Sequence, residues 1–296
     1  MSEPAAIAAP AALRGQAEAV AGALPPLLAA AERLAATLVL GAHGRRRPGL
    51  GDEFWQYRAA HEGDSLRAID WRRSGRSDST FVRQKEWQAA QSVLFWIDRA
   101  QSMSFAGAVE RTAKADRARV LGLAVAILLN RGGERIGLLE DPEPPRHGAA
   151  QLMRLAEALA AADGAEYGTP PECAMPPGAR AVLISDFLGP WEPVLAVLAH
   201  AADRGAKGAL VQVLDPAEEA FPYRGRTLFR SMGGGVSHET LKADRLRGPY
   251  LARLAERKAR LADLAARTGW QYLCHHTGEA AQPALLWLYR ALEESF

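Results

Sequence analysis

The sequence predicts an α/β protein with a mostly parallel sheet and helices on both of its faces. Two kinds of observation predict it. Short runs such as Ser92–Ile97 and Ala209–Leu214 are apolar but for Ser92 and Gln212, as befits strands buried on both faces. Between such runs lie segments with apolar residues at helical spacing, for example Ala118, Leu121, Val125 and Leu128 within Lys114–Asn130. Strands alternating with helices of this length build parallel sheets covered on both sides.

Taken in order, residues 1–25 are rich in Ala and Pro and are expected to be disordered, with little to bury. Leu27, Leu28, Ala31, Leu34, Ala35 and Leu38 recur at helical spacing and predict a helix closed by Gly41. A basic turn, Arg45-Arg46-Arg47-Pro48-Gly49, follows. The stretch from Gly51 to about Glu86 is charged and aromatic but poor in aliphatic residues, so it cannot form a core of its own. The division expected is therefore an extension over 26–88 and an α/β domain over 89–296.

Within that domain, strands are predicted at Ser92–Ile97, Ile136–Leu139, Arg180–Ile184, Ala209–Leu214 and Trp270–Leu273. Helices are predicted at Lys114–Asn130, Gln151–Ala162, Trp191–Arg204, Pro249–Thr268 and Pro283–Leu292, with Pro249 suited to a first helical turn. Residues 221–236, ending in Gly233-Gly234-Gly235, are expected to form an inserted hairpin.

Composition narrows the function. The 296 residues are 48% hydrophobic, enough to bury a real core, and 36 basic against 34 acidic side chains leave a net charge of +2. No global field steers the chain to nucleic acid, and none is expected as a partner. Arg45 to Arg47 with Arg72 and Arg73 could attract phosphates, but Asp52, Glu53, Glu62 and Asp64 dilute them. Cys173 and Cys274 lie far apart in sequence and form no metal-type pair, so zinc and iron–sulfur chemistry are not expected. His275-His276 has no acidic or cysteine partner at motif spacing and reads as surface or packing histidine. Pro25, Pro26 and charged residues interrupt the start, so no secretory leader is expected; no apolar run is long enough to span a bilayer, and a cytoplasmic protein is expected. No Walker lysine motif, serine elbow or His-Glu-x-x-His occurs.

In sheets of this kind ligands sit at the carboxyl ends of strands, near the reversal of strand order. Asp98 and Asp186 follow the first and third predicted strands. The run Asp98-Arg99-Ala100-Gln101-Ser102-Met103-Ser104 resembles the metal loop of von Willebrand factor A domains, Asp-x-Ser-x-Ser. The resemblance implies a Rossmann-type fold of that kind and a site of Asp98, Ser102 and Asp186 for Mg²⁺, a hard cation suited to such oxygens. Ala100 stands where the motif has its first serine and offers no oxygen, so the site is a degenerate one. The alternative reading is that Asp98 and Ser102 cap the next helix.

The upstream block is more specific. It runs Gly49-Leu50-Gly51-Asp52-Glu53-Phe54, then Arg58, Gly63-Asp64-Ser65-Leu66-Arg67-Ala68-Ile69-Asp70-Trp71, Ser74-Gly75-Arg76 and Val82-Arg83-Gln84-Lys85-Glu86. This order and spacing resemble the signature of the domain-of-unknown-function 58 family, in which a von Willebrand factor A-like domain follows. Such proteins act with MoxR-type AAA+ ATPases in assembling or remodelling other proteins, and no enzymatic activity is established for them. The resemblance thus implies a non-catalytic protein-binding adaptor with such an ATPase as partner. Read from chemistry alone, Asp64, Asp70 and Glu86 against Arg67, Arg76 and Arg83 offer a balanced set of ion pairs, with Trp71 as an apolar anchor. They either fasten the segment to the domain or form a partner interface. A different class stays open, a Mg²⁺-dependent phosphate-ester hydrolase using Asp98 and Asp186.

Overall fold

A computed structural model describes residues 26–38, 46–61, 65, 69–76, 79–88, 91–161, 163–173 and 175–294; over 46–56, 58, 83–88 and at 294 it describes the backbone alone. The expectation of disorder over 1–25 lies outside the described residues, as do Gly41 and Arg45.

Helix α1 spans 26–36. Strand β1 (Arg46–Ala59) and β2 (Phe81–Gln88) form an antiparallel ribbon, with the short helix α2 (Trp71–Ser74) between them. The ribbon is absent from the reading of the sequence, because a polar and aromatic stretch lacks the apolar alternation that announces a strand. Arg46 and Arg47, expected in a turn, already belong to β1.

The body of the protein is a five-stranded sheet of β3 (Ser92–Ile97), β4 (Arg135–Leu138), β5 (Arg180–Ser185), β6 (Lys207–Leu214) and β9 (Gln271–His276), in the order β4-β3-β5-β6-β9. Every pairing in it is parallel. The crossovers are α3 (Lys114–Arg131), α4 (Ala149–Ala160), α5 (Glu192–Asp203) and α7 (Asp244–Thr268), and α8 (Ala281–Glu294) closes the described chain. A five-residue helix α6 (Pro216–Ala220) and an antiparallel hairpin, β7 (Thr227–Arg230) with β8 (Ser237–Thr240), are inserted after β6. The fold is thus the expected α/β type.

Strand alternation builds two apolar layers. Val93, Phe95, Ile97, Val182, Ile184, Val211 and Val213 face α3, α4 and α8, and Ala31 and Ala35 of α1 join that same layer. Leu94, Trp96, Ala181, Leu183 and Leu210 face α5 and α7 on the other side. Helix α3 is buried nearly all round, from Ala118 through Leu129, which is why its sequence reads as apolar rather than strictly amphipathic.

Two expectations are corrected. Helix α7 starts at Asp244, so Pro249 lies inside it rather than in its first turn. The hairpin is displaced from 221–236: its strands are 227–230 and 237–240, and the three glycines form the turn. Phe221, Tyr223, Phe229 and Tyr250 pin the base of the hairpin, with ring centroids 5.0–5.8 Å apart.

Leu128 is fully buried in the first layer. Leu128→Ala is expected to cost about 2–5 kcal/mol of folding stability, read as a lower urea midpoint at unchanged slope.

Candidate functional site at the strand ends

The chain leaves β3 for β4 on one side and then crosses to β5 on the other, so the strand order reverses between β3 and β5. Asp98 and Asp186, which follow those two strands, flank the reversal where such folds place ligands. Both are sealed, at 2% and 1% exposure.

Asp98 continues the ladder through its amide, which donates to the Ile184 carbonyl at 2.9 Å. Its carboxylate then organises the turn: one oxygen accepts from the Ala100 amide at 2.8 Å, the other from the Ser185 hydroxyl at 2.6 Å. Burial pushes the Asp98 carboxyl up to about 6, against those two hydrogen bonds and aided by the nearby Asp186 charge. A single 3₁₀ turn, Gln101–Ser104, follows with no side-chain cap, and α3 begins without one as well. Asp98 and Ser102 therefore do not cap a helix.

Residues 163–168 lie over this loop. The amides of Gln101 and Ser102 donate to the carbonyls of Ala165 and Glu166, each at 2.9 Å. A Cβ on Gly168 would lie 2.1 Å from an Asp98 oxygen, so only glycine lets this segment close over the carboxylate. The hairpin turn reaches the same place: a Cβ on Gly233 would lie 2.6 Å from the Gln101 side-chain oxygen.

The decisive side chain is Lys114, the first residue of α3 and only 1% exposed. Its ammonium donates to Asp186 at 2.8 Å and to Glu218 at 2.7 Å, and stands 5.7 Å over the Phe105 ring. Burial alone would lower the lysine's pKa, but the Asp186 and Glu218 carboxylates together hold it above its ordinary value, so it is charged. Asp186 spends its other oxygen on the Leu188 amide at 2.9 Å, and Glu218 its other on the Asp215 amide at 2.8 Å. Asp215, fully buried after β6, accepts from Gly107, Arg111, Ala217 and Thr277.

Mg²⁺ fits this donor set poorly. Ala100 gives nothing, Asp98 is held by Ala100 and Ser185, and an ammonium already stands against Asp186. The Ser102 hydroxyl, buried without a partner among the described residues, is the one donor left over.

The block upstream is resolved in part. Asp70 caps α2, accepting from the Arg73 amide at 3.0 Å and from the Tyr57 hydroxyl at 2.9 Å. Arg73 stacks over the rings of Tyr57 and Phe81, 4.3 and 5.1 Å from their centroids. With Arg72 and Arg76 these residues line an open basic groove of about 440 Å³. Trp71 is not the buried anchor expected from the sequence: it is 62% exposed. Asp64 and Arg67 lie outside the described residues, and Arg83 and Glu86 are described through the backbone of β2 alone.

A family described as a protein of unknown function, DUF58, matches residues 56–260, which hold both the strand-end cluster and most of the upstream block. The chain belongs to the DUF58 family. Among its relatives are uncharacterized proteins of Mycobacterium bovis and Mycobacterium tuberculosis, each 27% identical over 279 residues and covering 88% of this chain and 86% of the relative. No solved structure matches the chain. Among the described residues of this DUF58 protein, no helix is long and apolar enough to cross a membrane.

The sequence pointed to Asp98, Ser102 and Asp186, and the fold gathers them at one edge. It did not point to Lys114, Ser185, Asp215 or Glu218. Asp215 was within reach as a third strand-end carboxylate; Lys114 was not, because nothing in its neighbours marks a helix-start lysine as buried.

Two outcomes follow from this geometry. Asp98 keeps its proton to about pH 6 when folded, against 3.8 for an ordinary aspartate. The unfolded chain releases that proton first, so this group's contribution to stability is full below about pH 4 and is lost as the pH rises to about 6. Asp98→Asn removes the dependence; urea unfolding at pH 4 to 7 is expected to show the variant gaining roughly 2–3 kcal/mol on the wild type across that range. Lys114→Met leaves buried Asp186 and largely covered Glu218 without a countercharge and is expected to cost about 3–5 kcal/mol at pH 7.

Proposed function

We propose that this DUF58 protein is a non-catalytic protein-binding adaptor that docks its partner on the carboxyl rim of the sheet and on the exposed hairpin beside it. The observation that carries the reading is the contrast at the rim. Asp98 and Asp186 are sealed and Lys114 pairs Asp186 and Glu218 from within, while Leu228, Met232, Val236 and Leu241 stand 46–72% exposed on and next to the hairpin. Apolar side chains clustered in this way on a charged rim are typical of docking surfaces. Exposed Trp71, next in sequence to the arginines that line the groove, is of the residue types that dominate interface energies and offers a second contact.

In this reading the aspartate loop is a scaffold and no cation enters the contact. The partner is an AAA+ ATPase of the MoxR type, consistent with the family resemblance. ATP hydrolysis belongs to that partner, and this chain presents it with a client. The hydrolase alternative has less support, because Asp98 and Asp186 are closed to a phosphate ester by Gly168 and Lys114.

The test is titration calorimetry between the full chain and the MoxR-type ATPase of the same source, with and without chelator. Leu228→Glu combined with Val236→Glu is expected to weaken binding at least about tenfold. Chelator and Asp98→Asn are expected to leave it unchanged. Binding untouched by the hairpin substitutions would remove the rim as the contact. Mg²⁺-dependent turnover of p-nitrophenyl phosphate that disappears in Asp98→Asn would overturn the non-catalytic reading.

A further inference from the structure

Away from the strand-end cluster, the edge strand β9 carries a second group of polar side chains that this reading does not use. Cys274 and His276 are two apart on β9, so they point to the same face of the sheet, the face on which α7 packs. Helix α6, which leaves the carboxyl end of neighbouring β6, brings Glu219 onto them. The His276 Nε2 lies 3.0 Å from a Glu219 oxygen and 3.8 Å from the Cys274 Sγ. All three donor atoms fall within 4.8 Å of one another.

We propose that Glu219, Cys274 and His276 form a binding site for a borderline-soft divalent cation, of which Zn²⁺ is the natural occupant. The donors are one sulfur, one imidazole nitrogen and one carboxylate oxygen, the mixture that zinc accepts and that hard cations such as Mg²⁺ do not favour. Bond lengths of about 2.0–2.3 Å to a tetrahedral zinc require donors about 3.4–3.6 Å apart; the two His276 distances need shifts of a few tenths of an ångström, and the Glu219 carboxylate closes on Cys274 from within 4.8 Å. The residues are half-buried, which leaves the fourth position open to water or to a side chain from a docked protein.

Lys258 of α7 occupies the neighbourhood now. Its ammonium bonds the Glu219 carboxylate and the Cys274 sulfur, and its side chain is 32% exposed. A dication brings twice the charge to the same donors, and the lysine has solvent into which to swing. Loading the site costs the Cys274 thiol its proton, which leaves to solvent as the zinc–sulfur bond forms. Behind the cluster, the Tyr272 hydroxyl bonds Gln212 at 2.6 Å and also meets the Cys274 sulfur, which fixes the direction of that donor. The proposal is independent of the adaptor reading, since none of these residues lies on the hairpin or in the Lys114 cluster.

The experiment uses the full chain, reduced and stripped with chelator, titrated with Co²⁺ and then with Zn²⁺. One equivalent of Co²⁺ is expected to bind with a near-ultraviolet thiolate charge-transfer band, and Zn²⁺ to displace it. Cys274→Ser is expected to abolish the band, and His276→Ala and Glu219→Gln to weaken Zn²⁺ at least about tenfold each. Lys258→Met is expected to tighten Zn²⁺ by removing the competing charge, while Cys173→Ser and Asp98→Asn leave it unchanged. Far-ultraviolet circular dichroism confirms that each variant is folded; should Cys274→Ser unfold, the His276 and Glu219 variants carry the test. The absence of a stoichiometric Co²⁺ complex would overturn the proposal. So would a thiolate band that survives in Cys274→Ser, or affinity unmoved in both His276→Ala and Glu219→Gln.

Discussion

Lys114 sits at the base of α3 with its ammonium shared between Asp186, just past β5, and Glu218 from α6, and this contact ties three parts of the fold together at the carboxyl edge. An aspartate buried to 1% in an apolar fold is costly unless a positive group compensates it. Here the compensation comes from within the chain. Once Lys114 stands there, Asp186 is held, Glu218 is drawn toward the sheet and α6 is oriented. The hairpin that follows α6 therefore leaves from a fixed base. Its aromatic cluster of Phe221, Tyr223, Phe229 and Tyr250 completes that base.

The same contact bears on function. A loop resembling a metal-binding motif ordinarily suggests that a cation links the protein to its ligand. In this DUF58 chain the loop spends its polar groups inward: Asp98 on Ala100 and Ser185, and the amides of Gln101 and Ser102 on the 165–166 carbonyls. What remains for a partner is the apolar outer side of the hairpin, together with Trp71 and its neighbouring arginines. On the proposed adaptor reading, the rigid inner network holds the base from which the exposed apolar rim is presented.

The Glu219, Cys274 and His276 group shows how one architectural device is used twice. Each of the consecutive glutamates of α6 meets a lysine, Glu218 that of α3 and Glu219 that of α7. One lysine is sealed at 1% exposure and cannot leave, whereas the other is 32% exposed and can. That difference in burial, rather than in residue type, separates a structural ion pair from a site able to exchange its cation.

The sequence by itself determined the layered fold. Apolar runs such as Ser92–Ile97 and Arg180–Ile184 mark doubly buried strands by local composition alone, and helices α3, α4, α5 and α8 follow from spacing that each segment carries in itself. It also placed Asp98 and Asp186 at strand ends, because position relative to a strand is local information. Tertiary structure decided the rest. The β1–β2 ribbon has no apolar alternation to announce it, and Trp71, which composition casts as a buried anchor, is exposed. Lys114 with Glu218, and Glu219 with Cys274 and His276, come together across 104 and more than 50 residues respectively. Those meetings depend on the order β4-β3-β5-β6-β9 and on where α6 departs, and strand order is set by the packing of whole elements rather than by residues next to one another.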